Sequence, residues 1–295
     1  MKILVTGANG LVGKNIAKAL IATNQVEVFA TSLKKFQLEG VTTFTSNLLN
    51  ADINHMVDDI KPEIVVHCAA LSSPDACEVD RYACHRMNVE LTKRIVSACV
   101  DYNVHLVFLS TDFIFDGSKG NYTEMDAPNP VNYYGESKLE AEKLIQASGV
   151  VNTIVRTSLV YGVEPKLSRP NIITRVFDNL SKNKQYKVPS DQIRTPTYAP
   201  DLASAITQIC LNRVPGIYNI SGDQIISVAD FAILAAKAFN LNHELLQQVN
   251  SKDLAEAAPR PKNTSLVIGK AKNDLNFKPT PIEMALGKIK TTLNS

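Results

Sequence analysis

The chain has 295 residues, of which 45% are hydrophobic and 20% are charged. This length and composition exclude a disordered chain, a collagen-like chain and a small fold held together by disulfides. The 31 basic and 29 acidic residues leave a net charge of +2. Such a small charge does not create the field that draws basic proteins to nucleic acids or anionic membranes, so we expect neither as a partner.

Cysteine usage and the lack of long apolar runs predict a protein of the reducing cytoplasm. The five cysteines are an odd number and lie mostly within apolar segments, which does not fit a disulfide framework. No apolar run approaches the roughly 18 residues that span a bilayer, and the apolar segment after Met1 is too short for a signal peptide. Cys77, Cys84 and His85 lack the paired short spacings of zinc ligands, so we expect no metal site.

The first 160 residues alternate between short β-branched runs and helical patterns, which predicts βαβ units and a parallel sheet. The predicted strands are 2–6, 26–31, 41–45, 64–67, 105–109 and 153–156. The predicted helices are 11–22, 53–60, 78–102 and 133–147. Because right-handed crossovers place helices on both faces of such a sheet, we expect a doubly wound Rossmann domain.

After residue 161 the sequence is less regular and is interrupted by prolines. A predicted helix at 201–211 and a predicted strand at 216–220 return to the sheet, and a helix at 228–239 and a proline-containing tail follow. We therefore predict an α/β protein in which a second, smaller substrate domain is interleaved with the parallel-sheet Rossmann domain. The Rossmann domain comprises residues 1–162 and 200–222, and the substrate-binding domain comprises residues 163–199 and 223–295.

A glycine-rich turn links the first predicted strand to the first predicted helix. It reads Thr6-Gly7-Ala8-Asn9-Gly10-Leu11-Val12-Gly13, with a glycine at every third position. Glycines let a pyrophosphate approach the backbone and let the helix pack close to the strand, and amides at a helix N-terminus favour anions. The turn therefore predicts a dinucleotide at the carboxyl edge of the sheet, and a tight turn without a ligand is the alternative.

The end of the second predicted strand indicates which dinucleotide binds. An acidic residue there would bind the ribose 2′-hydroxyl of NAD, whereas cationic groups suit the 2′-phosphate of NADP. Here Ser32, Lys34 and Lys35 follow the strand, and the next acid is Glu39. We therefore favour NADP over NAD, although Lys34 and Lys35 also fit a solvated loop.

Tyr134 and Lys138 lie four residues apart in a predicted helix and so share one face. A neighbouring ammonium stabilises a phenolate, so we expect Lys138 to lower the pKa of Tyr134 from about 10. Such a tyrosine can donate a proton to a carbonyl oxygen while a hydride reaches the carbon. Thr111, after the fifth predicted strand, can donate a hydrogen bond to the same oxygen. Together the three residues predict a carbonyl-reduction site. Taken alone, the pair of Tyr134 and Lys138 also fits packing on a helix surface, and Thr111 also fits a capped turn.

In this order, the glycine turn, the strand-end Ser110-Thr111 and the Tyr134-x-x-x-Lys138 pair resemble the extended short-chain dehydrogenase/reductases. Within them, Ser110-Thr111-Asp112-Phe113-Ile114-Phe115-Asp116-Gly117 is similar to the signature of dTDP-4-dehydrorhamnose reductases. Further similar segments lie at 75–78, 88–89, 156–161, 191–192, 196–197 and 260–266, so the resemblance covers nearly the whole chain.

The resemblance implies that Thr111, Tyr134 and Lys138 are catalytic and that Lys138 also holds the nicotinamide ribose. Asn88 resembles a family asparagine that helps organise the site, and an ordinary polar helix residue is the alternative. The cofactor-binding residues that it implies are Gly7, Asn9, Gly10, Leu11, Val12, Gly13, Ser32, Lys34, Asn47, Leu48, Cys68, Ala69, Ala70, Asn88, Tyr134 and Lys138. It also implies a nucleotide-sugar cleft between the domains, with Ser72, Asp112, Phe113, Tyr161, Arg194 and Arg260 binding the substrate. Arg194 and Arg260 suit a substrate diphosphate, with surface salt bridges as the alternative.

Three positions depart from the pattern of the family. Asn47 stands where Asp is common near the expected adenine, Leu159 stands where Trp is common near the sugar, and His67-Cys68 replaces Asn-Ala after the fourth strand. These changes leave the cofactor affinity and the exact substrate open.

The first hypothesis for the function is an NADPH-dependent oxidoreductase that reduces a 4-keto nucleotide-sugar. Epimerisation or dehydration of a nucleotide-sugar is one alternative, although Phe113 follows Asp112 where sugar dehydratases usually carry a second acid. A non-catalytic NADP-binding subunit that resembles the regulatory β subunit of methionine adenosyltransferase is another. The sequence does not fix the sugar, the nucleotide or the oligomeric state, and it allows a homodimer.

Overall fold

The computed structural model describes residues 1–165 and 169–294. Residues 166–168 and 295, which belong to the predicted second domain, lie outside the described residues. The strands are β1 (Lys2–Thr6), β2 (Glu27–Ser32), β3 (Thr42–Thr45), β4 (Ile64–His67), β5 (His105–Thr111), β6 (Asn152–Thr157), β7 (Val160–Tyr161), β8 (Tyr186–Pro189), β9 (Ile193–Arg194), β10 (Thr197–Tyr198), β11 (Gly216–Asn219), β12 (Ile226–Ser227) and β13 (Leu246–Val249). The α-helices are α1 (Leu11–Ile21), α2 (Ile53–Ile60), α3 (Pro74–Val79), α4 (Arg81–His85), α5 (Leu91–Asp101), α6 (Tyr133–Ala147), α7 (Ile172–Leu180), α8 (Ala199–Asn212), α9 (Val228–Ala238), α10 (Gly269–Leu275) and α11 (Ile282–Asn294).

Seven parallel strands form the central sheet in the order β11-β6-β5-β4-β1-β2-β3. The six strands predicted in the first 160 residues are all present, and the predicted return of the chain to the sheet is β11 beside β6. The strand order reverses between β1 and β4, which pair directly. Open α/β sheets bind ligands at the carboxyl ends of such a pair, so the topology fixes where a site can form.

Helices cover both faces of the sheet, which confirms the predicted doubly wound α/β fold. On one face α1, α8 and α10 contribute Ile16, Leu202 and Leu275 to a core with β1. On the other face α2, α5 and α6 pack against β4 and β5. Strands covered on both sides have no polar face, which is why they read as continuous apolar runs. None of the described helices combines the length and the apolar character that crossing a bilayer requires.

A third hydrophobic core lies away from the sheet and is built from α7, α9, α11 and β8. These four elements fall within the residue ranges predicted for the second domain. One stretch of that prediction differs, because Ile268, Ala271, Leu275 and Phe277 pack in the core of the sheet with α1 and α8. The division of the chain into two domains stays a prediction, with residues 268–277 placed against the sheet.

The predicted helix 78–102 is wrong as a single element. Asp80 has a non-helical backbone, and its carboxylate accepts a hydrogen bond from the Ala83 amide at 2.9 Å, so α3 ends there and α4 begins. A π-helical turn, Arg86–Glu90, then joins α4 to α5. Asp at a helix start competes for backbone amides, and this local capping outweighs the helical pattern of the surrounding residues.

Candidate active site

A cleft of about 740 Å³ opens at the carboxyl edge of the sheet. It is lined by the ends of the central strands and by residues from the third core. The predicted site residues that line it are Gly7, Asn9, Gly10, Leu11, Val12, Gly13, Ser32, Lys34, Asn47, Leu48, Cys68, Ala69, Ala70, Ser72, Thr111, Asp112, Phe113, Tyr134, Lys138, Arg194 and Arg260. Asn88 and Tyr161 are predicted site residues that do not line it.

The glycine turn packs its backbone against the loop after β4. Gly7 has a φ of +66°, and a Cβ there would lie 2.7 Å from the Ala69 nitrogen. A Cβ on Gly13 would lie 2.6 Å from the Gly7 carbonyl oxygen, so both positions need glycine. Gly10 caps α1 without a side-chain hydrogen bond to the first turn of that helix. The first amides of α1 therefore face the cleft without a side-chain acceptor, as a phosphate site requires.

The far end of the cleft is lined by the segments after β2 and β3. The Ser32 hydroxyl donates to the Lys34 carbonyl oxygen, and the exposed Lys34 side chain has no ion pair with any described residue. The Asn47 carboxamide accepts from the Leu49 amide at 3.2 Å and so holds its own turn. No acidic residue among the described lining follows β2, which leaves positive charge where the second strand ends.

The start of α6 presents Tyr134 to the end of β5. Asn132 caps the helix, accepting from the Gly135 amide at 2.9 Å and donating to the Pro259 carbonyl oxygen. The ring of Tyr134 meets the ring of Phe113 edge to face, with centroids 6.0 Å apart. Strand β5 extends two residues beyond its predicted end, so Thr111 is its last residue and lies on the cleft with Tyr134. The structure thus brings Thr111 and Tyr134 together as predicted.

The electrostatics of Tyr134 differ from our expectation. Burial raises the pKa of Tyr134 above its ordinary value, and the hydrogen bond with Thr111 and the charge of Arg169 only partly oppose this rise. The predicted lowering of this pKa by Lys138 is therefore wrong, because desolvation of the phenolate outweighs the nearby cations. The consequence favours reduction, since Tyr134 carries its proton at neutral pH and can act as a general acid.

Lys138 lies one turn further along α6 and is also buried. Its Nζ is 3.9 Å from the centroid of the Phe108 ring, and the side chain lines the cleft. Burial lowers the pKa of Lys138 to about 8, and the carboxylate of Glu142 opposes the drop. An ammonium in this position stabilises the phenolate that Tyr134 becomes after it gives up its proton.

Asp112 and Arg194, both predicted to bind substrate, are committed to contacts inside the protein. Asp112 accepts from Ser158 at 2.9 Å, from Thr264 and from Thr111 at 3.2 Å. The Arg194 guanidinium lies 3.8 Å from Asp112 and donates to three backbone carbonyls. Burial raises the pKa of Asp112, and the charge of Arg194 opposes this. The pair holds together the turn after Thr111, and because both residues also line the cleft, their substrate contacts stay predictions.

Asn88 and Tyr161 do not line the cleft, although both are predicted site residues. The buried Asn88 carboxamide accepts from the Leu71 amide at 2.8 Å and donates to Ser137 at 2.9 Å. It joins the loop after β4 to α6 and does not reach the cleft, so its predicted cofactor contact is wrong. Tyr161 is 1% exposed, and its ring lies 4.9 Å from that of Phe231 in the third core. Its predicted substrate contact is wrong, because the whole side chain is packed.

Two arginines that the sequence reasoning missed line the cleft. Arg169 donates to the Ser72 hydroxyl at 2.8 Å, and Arg175 lies near it. Neither forms an ion pair with an acid in the described ranges, whereas Arg260 pairs with Asp75 at 2.8 Å. Arg169 and Arg175 fall in the irregular, proline-interrupted segment, where no motif marks a site. The only feature of the sequence that could have indicated them is their basic character.

A Rossmann sheet with a glycine turn after β1, together with a buried threonine, a half-buried tyrosine and a buried lysine around one cleft, defines an extended short-chain dehydrogenase/reductase. Comparison with known families agrees. The chain belongs to the family described as RmlD substrate binding domain, which matches residues 1–294.

Two curated relatives illustrate the range of this family. Methionine adenosyltransferase 2 subunit beta of Rattus norvegicus is 30% identical over 275 residues, which cover 90% of this chain and 80% of the relative. The dTDP-4-dehydrorhamnose reductase of Aggregatibacter actinomycetemcomitans is 30% identical in an alignment that is 303 positions long and covers 98% of each chain. The sequence is thus similar both to a reductase and to a subunit of a different enzyme.

Solved structures with the same fold include two described as dTDP-4-dehydrorhamnose reductases. That of Clostridium acetobutylicum has a TM-score of 0.88 and 27% identity, and the match covers 100% of both chains. That of Bacillus anthracis, solved in complex with NADP, has a TM-score of 0.83 and 25% identity over 100% of this chain and 99% of that chain.

Proposed function

We propose that the chain is an NADPH-dependent reductase that converts the 4-keto group of a nucleotide-sugar to a hydroxyl group. The observation that carries this proposal is the joint placement of Thr111, a protonated Tyr134 and a buried Lys138 on a cleft that also contains the glycine turn. The match to a dTDP-4-dehydrorhamnose reductase along 98% of both chains supports it.

The residues of the cleft fit a nicotinamide dinucleotide. The crowding around Gly7 and Gly13 brings bare backbone to the start of α1, where a pyrophosphate can accept hydrogen bonds from amides. Lys34, with no acid beside it, supports the 2′-phosphate of NADP over the free 2′-hydroxyl of NAD. The NADP complex of the Bacillus anthracis relative supports the same choice.

The reaction needs three tasks from the residues of this chain, in addition to the hydride of the cofactor. Bound NADPH supplies the hydride that the carbonyl carbon receives. Tyr134 donates its phenolic proton to the carbonyl oxygen, and Lys138 stabilises the resulting phenolate. The Thr111 oxygen is held by the Phe113 amide at 3.2 Å, so its hydroxyl can turn from Asp112 to the carbonyl oxygen and orient it.

The proposal is tested by incubating the protein with NADPH and a panel of 4-keto nucleotide-sugars. The consumption of NADPH is monitored by its absorbance. We expect turnover by the parent and a loss of roughly 100-fold or more in Tyr134→Phe, because the variant lacks the proton donor. Tyr133→Phe removes the neighbouring hydroxyl of the same helix and is the matched control, with near-parental rates. Equal rates in Tyr134→Phe and the parent would contradict the proposal.

A non-catalytic NADP-binding regulatory subunit is a second candidate, favoured by the 30% identity to methionine adenosyltransferase 2 subunit beta. That function does not require a tyrosine and a lysine placed for proton transfer. If the parent binds NADPH, consumes none with any keto-sugar and forms a complex with a methionine adenosyltransferase, this candidate replaces the first.

Dehydration of a nucleotide-sugar fits the cleft less well. Dehydration needs an acid that is free to protonate a leaving hydroxyl group. Every acid in the described lining is engaged by an arginine: Asp75 and Glu256 by Arg260, and Asp112 by Arg194.

We keep the reducing cytoplasm as the proposed location, because all five cysteines are free thiols.

A further inference from the structure

A buried carboxylate lies beneath the proposed reaction site and has no part in the mechanism above. Glu142 is on α6, four residues after Lys138, and its side chain is 1% exposed. It accepts from Arg156 Nη2 at 2.8 Å and from the Ser110 hydroxyl. Ser110 and Arg156 lie opposite each other on β5 and β6. One carboxylate therefore joins two strands to the helix that carries Tyr134 and Lys138.

Lys138 depends on its surroundings for its charge. It is 3% exposed, and no described residue accepts a hydrogen bond from its ammonium. A buried cation without an acceptor is costly unless a negative charge lies near it. The titratable groups that the structure describes around it are Tyr134 and Glu142 on the same helix, Cys77 and Cys84 on α3 and α4, and His67 and Cys68 at the end of β4. Glu142 is the carboxylate in this set.

Glu142 also balances a second cation. The Arg156 side chain is 4% exposed and forms an ion pair with Glu142. Its guanidinium carbon lies 5.5 Å from the centroid of the Phe115 ring. A guanidinium does not lose its proton in proteins. Without the negative charge of Glu142, the Lys138 ammonium would lose a stabilising neighbour and would give up its proton more easily.

We propose that Glu142 is a positioning residue of the site, which keeps Lys138 charged and fixes its helix to the strand that ends in Thr111. The inference rests on the proposed function, since the charge of Lys138 matters to the rate only if Tyr134 transfers a proton. The buried network thus links proton transfer in the cleft to a carboxylate that never touches the substrate.

The protonation of Lys138 can be measured directly by NMR, with lysine labelled with carbon-13 at Cε and the signal assigned by Lys138→Met. In Glu142→Gln we expect the titration midpoint of Lys138 to fall by about one pH unit relative to the parent. The alkaline limb of the NADPH-consumption profile should move to lower pH by the same amount. Glu140→Gln is the matched control: Glu140 lies on the same helix, is 54% exposed and faces His85, so the midpoint should not move.

A second variant keeps the test decisive, because Glu142→Gln leaves Arg156 buried without its acid. The double variant Glu142→Gln/Arg156→Gln removes both charges, and its Lys138 midpoint should lie between those of the parent and the single variant. If the single variant does not fold, the double variant must still titrate below the parent. A parental midpoint in the folded variants overturns the inference. A lowered midpoint in a chain that reduces no keto-sugar would overturn the proposed function, and with it the effect on the rate, but would leave the electrostatic link between Glu142 and Lys138 standing.

Discussion

Replacing Gly135 with alanine should displace the reacting side chains, although alanine is the better helix former. Gly135 is the third residue of α6, next to Tyr134, and it packs against the turn after β5. A Cβ there would lie 2.1 Å from the Phe113 carbonyl oxygen and 2.9 Å from the Pro130 Cβ. Ordinary contact begins at 3.4 Å, so the start of α6 and the turn after β5 must separate by roughly 1.3 Å.

Two opposing effects set the magnitude. The higher helix propensity of alanine stabilises by up to about 1 kcal/mol. Overpacking costs typically about 1–3 kcal/mol, and a rigid backbone atom places this site in the upper part of that range. We therefore expect a net loss of about 1–2 kcal/mol in the free energy of unfolding. A displacement of about 1 Å at a reacting group costs roughly 100-fold in rate, so activity should fall more than stability.

Urea unfolding measures the first effect, and NADPH consumption measures the second. Gly287→Ala in α11 is the matched control, because no atom lies within 4 Å of the Cβ it would add. The same substitution should stabilise there by up to about 1 kcal/mol. If Gly135→Ala is as stable as Gly287→Ala and keeps the parental rate, the close approach of α6 to Phe113 does not position Tyr134, and the reasoning is refuted.

Three further predictions concern charge. Asp112→Asn leaves Arg194 buried without its acid and should lower the free energy of unfolding by about 3–5 kcal/mol; an unchanged urea midpoint would show that the pair is not needed. Lys138 loses its proton as the pH rises through about 8, so the rate should decline above that pH, and a flat rate-against-pH profile to pH 10 or so would count against its role. Lys34→Ala should weaken NADPH binding about 10-fold and leave NADH binding unchanged in fluorescence titrations, whereas Lys35→Ala, outside the cleft lining, should change neither.

Much of the fold is predictable because it depends on local patterns. A strand buried on both faces, such as β4, is a short apolar run, and a tight strand-to-helix turn, such as that at Gly7, needs glycine. The spacing of Tyr134 and Lys138 places them on one helix face wherever that helix lies. Combined with the sheet topology, these local features were enough to locate most of the residues around the cleft.

The remaining features depend on contacts between distant parts of the chain. Asp112 is enclosed by Thr264, which is 152 residues away, and no local pattern shows that this carboxylate is buried. The same holds for Asn88, which meets Ser137 on another helix. The pKa of Tyr134 was predicted in the wrong direction because a sequence shows that a cation is near but not how much solvent is lost.

Transfer of deuterium from NADPH that is deuterated at the reacting carbon of the nicotinamide tests the central claim most directly. The parent protein is incubated with a 4-keto nucleotide-sugar, and the product is analysed by mass spectrometry and NMR. We predict a 4-hydroxy product that carries one deuterium on the reduced carbon, and almost none of it with Tyr134→Phe. Recovery of unchanged keto-sugar across the panel, or a product without deuterium, would contradict the claim that this cleft is a reductase site.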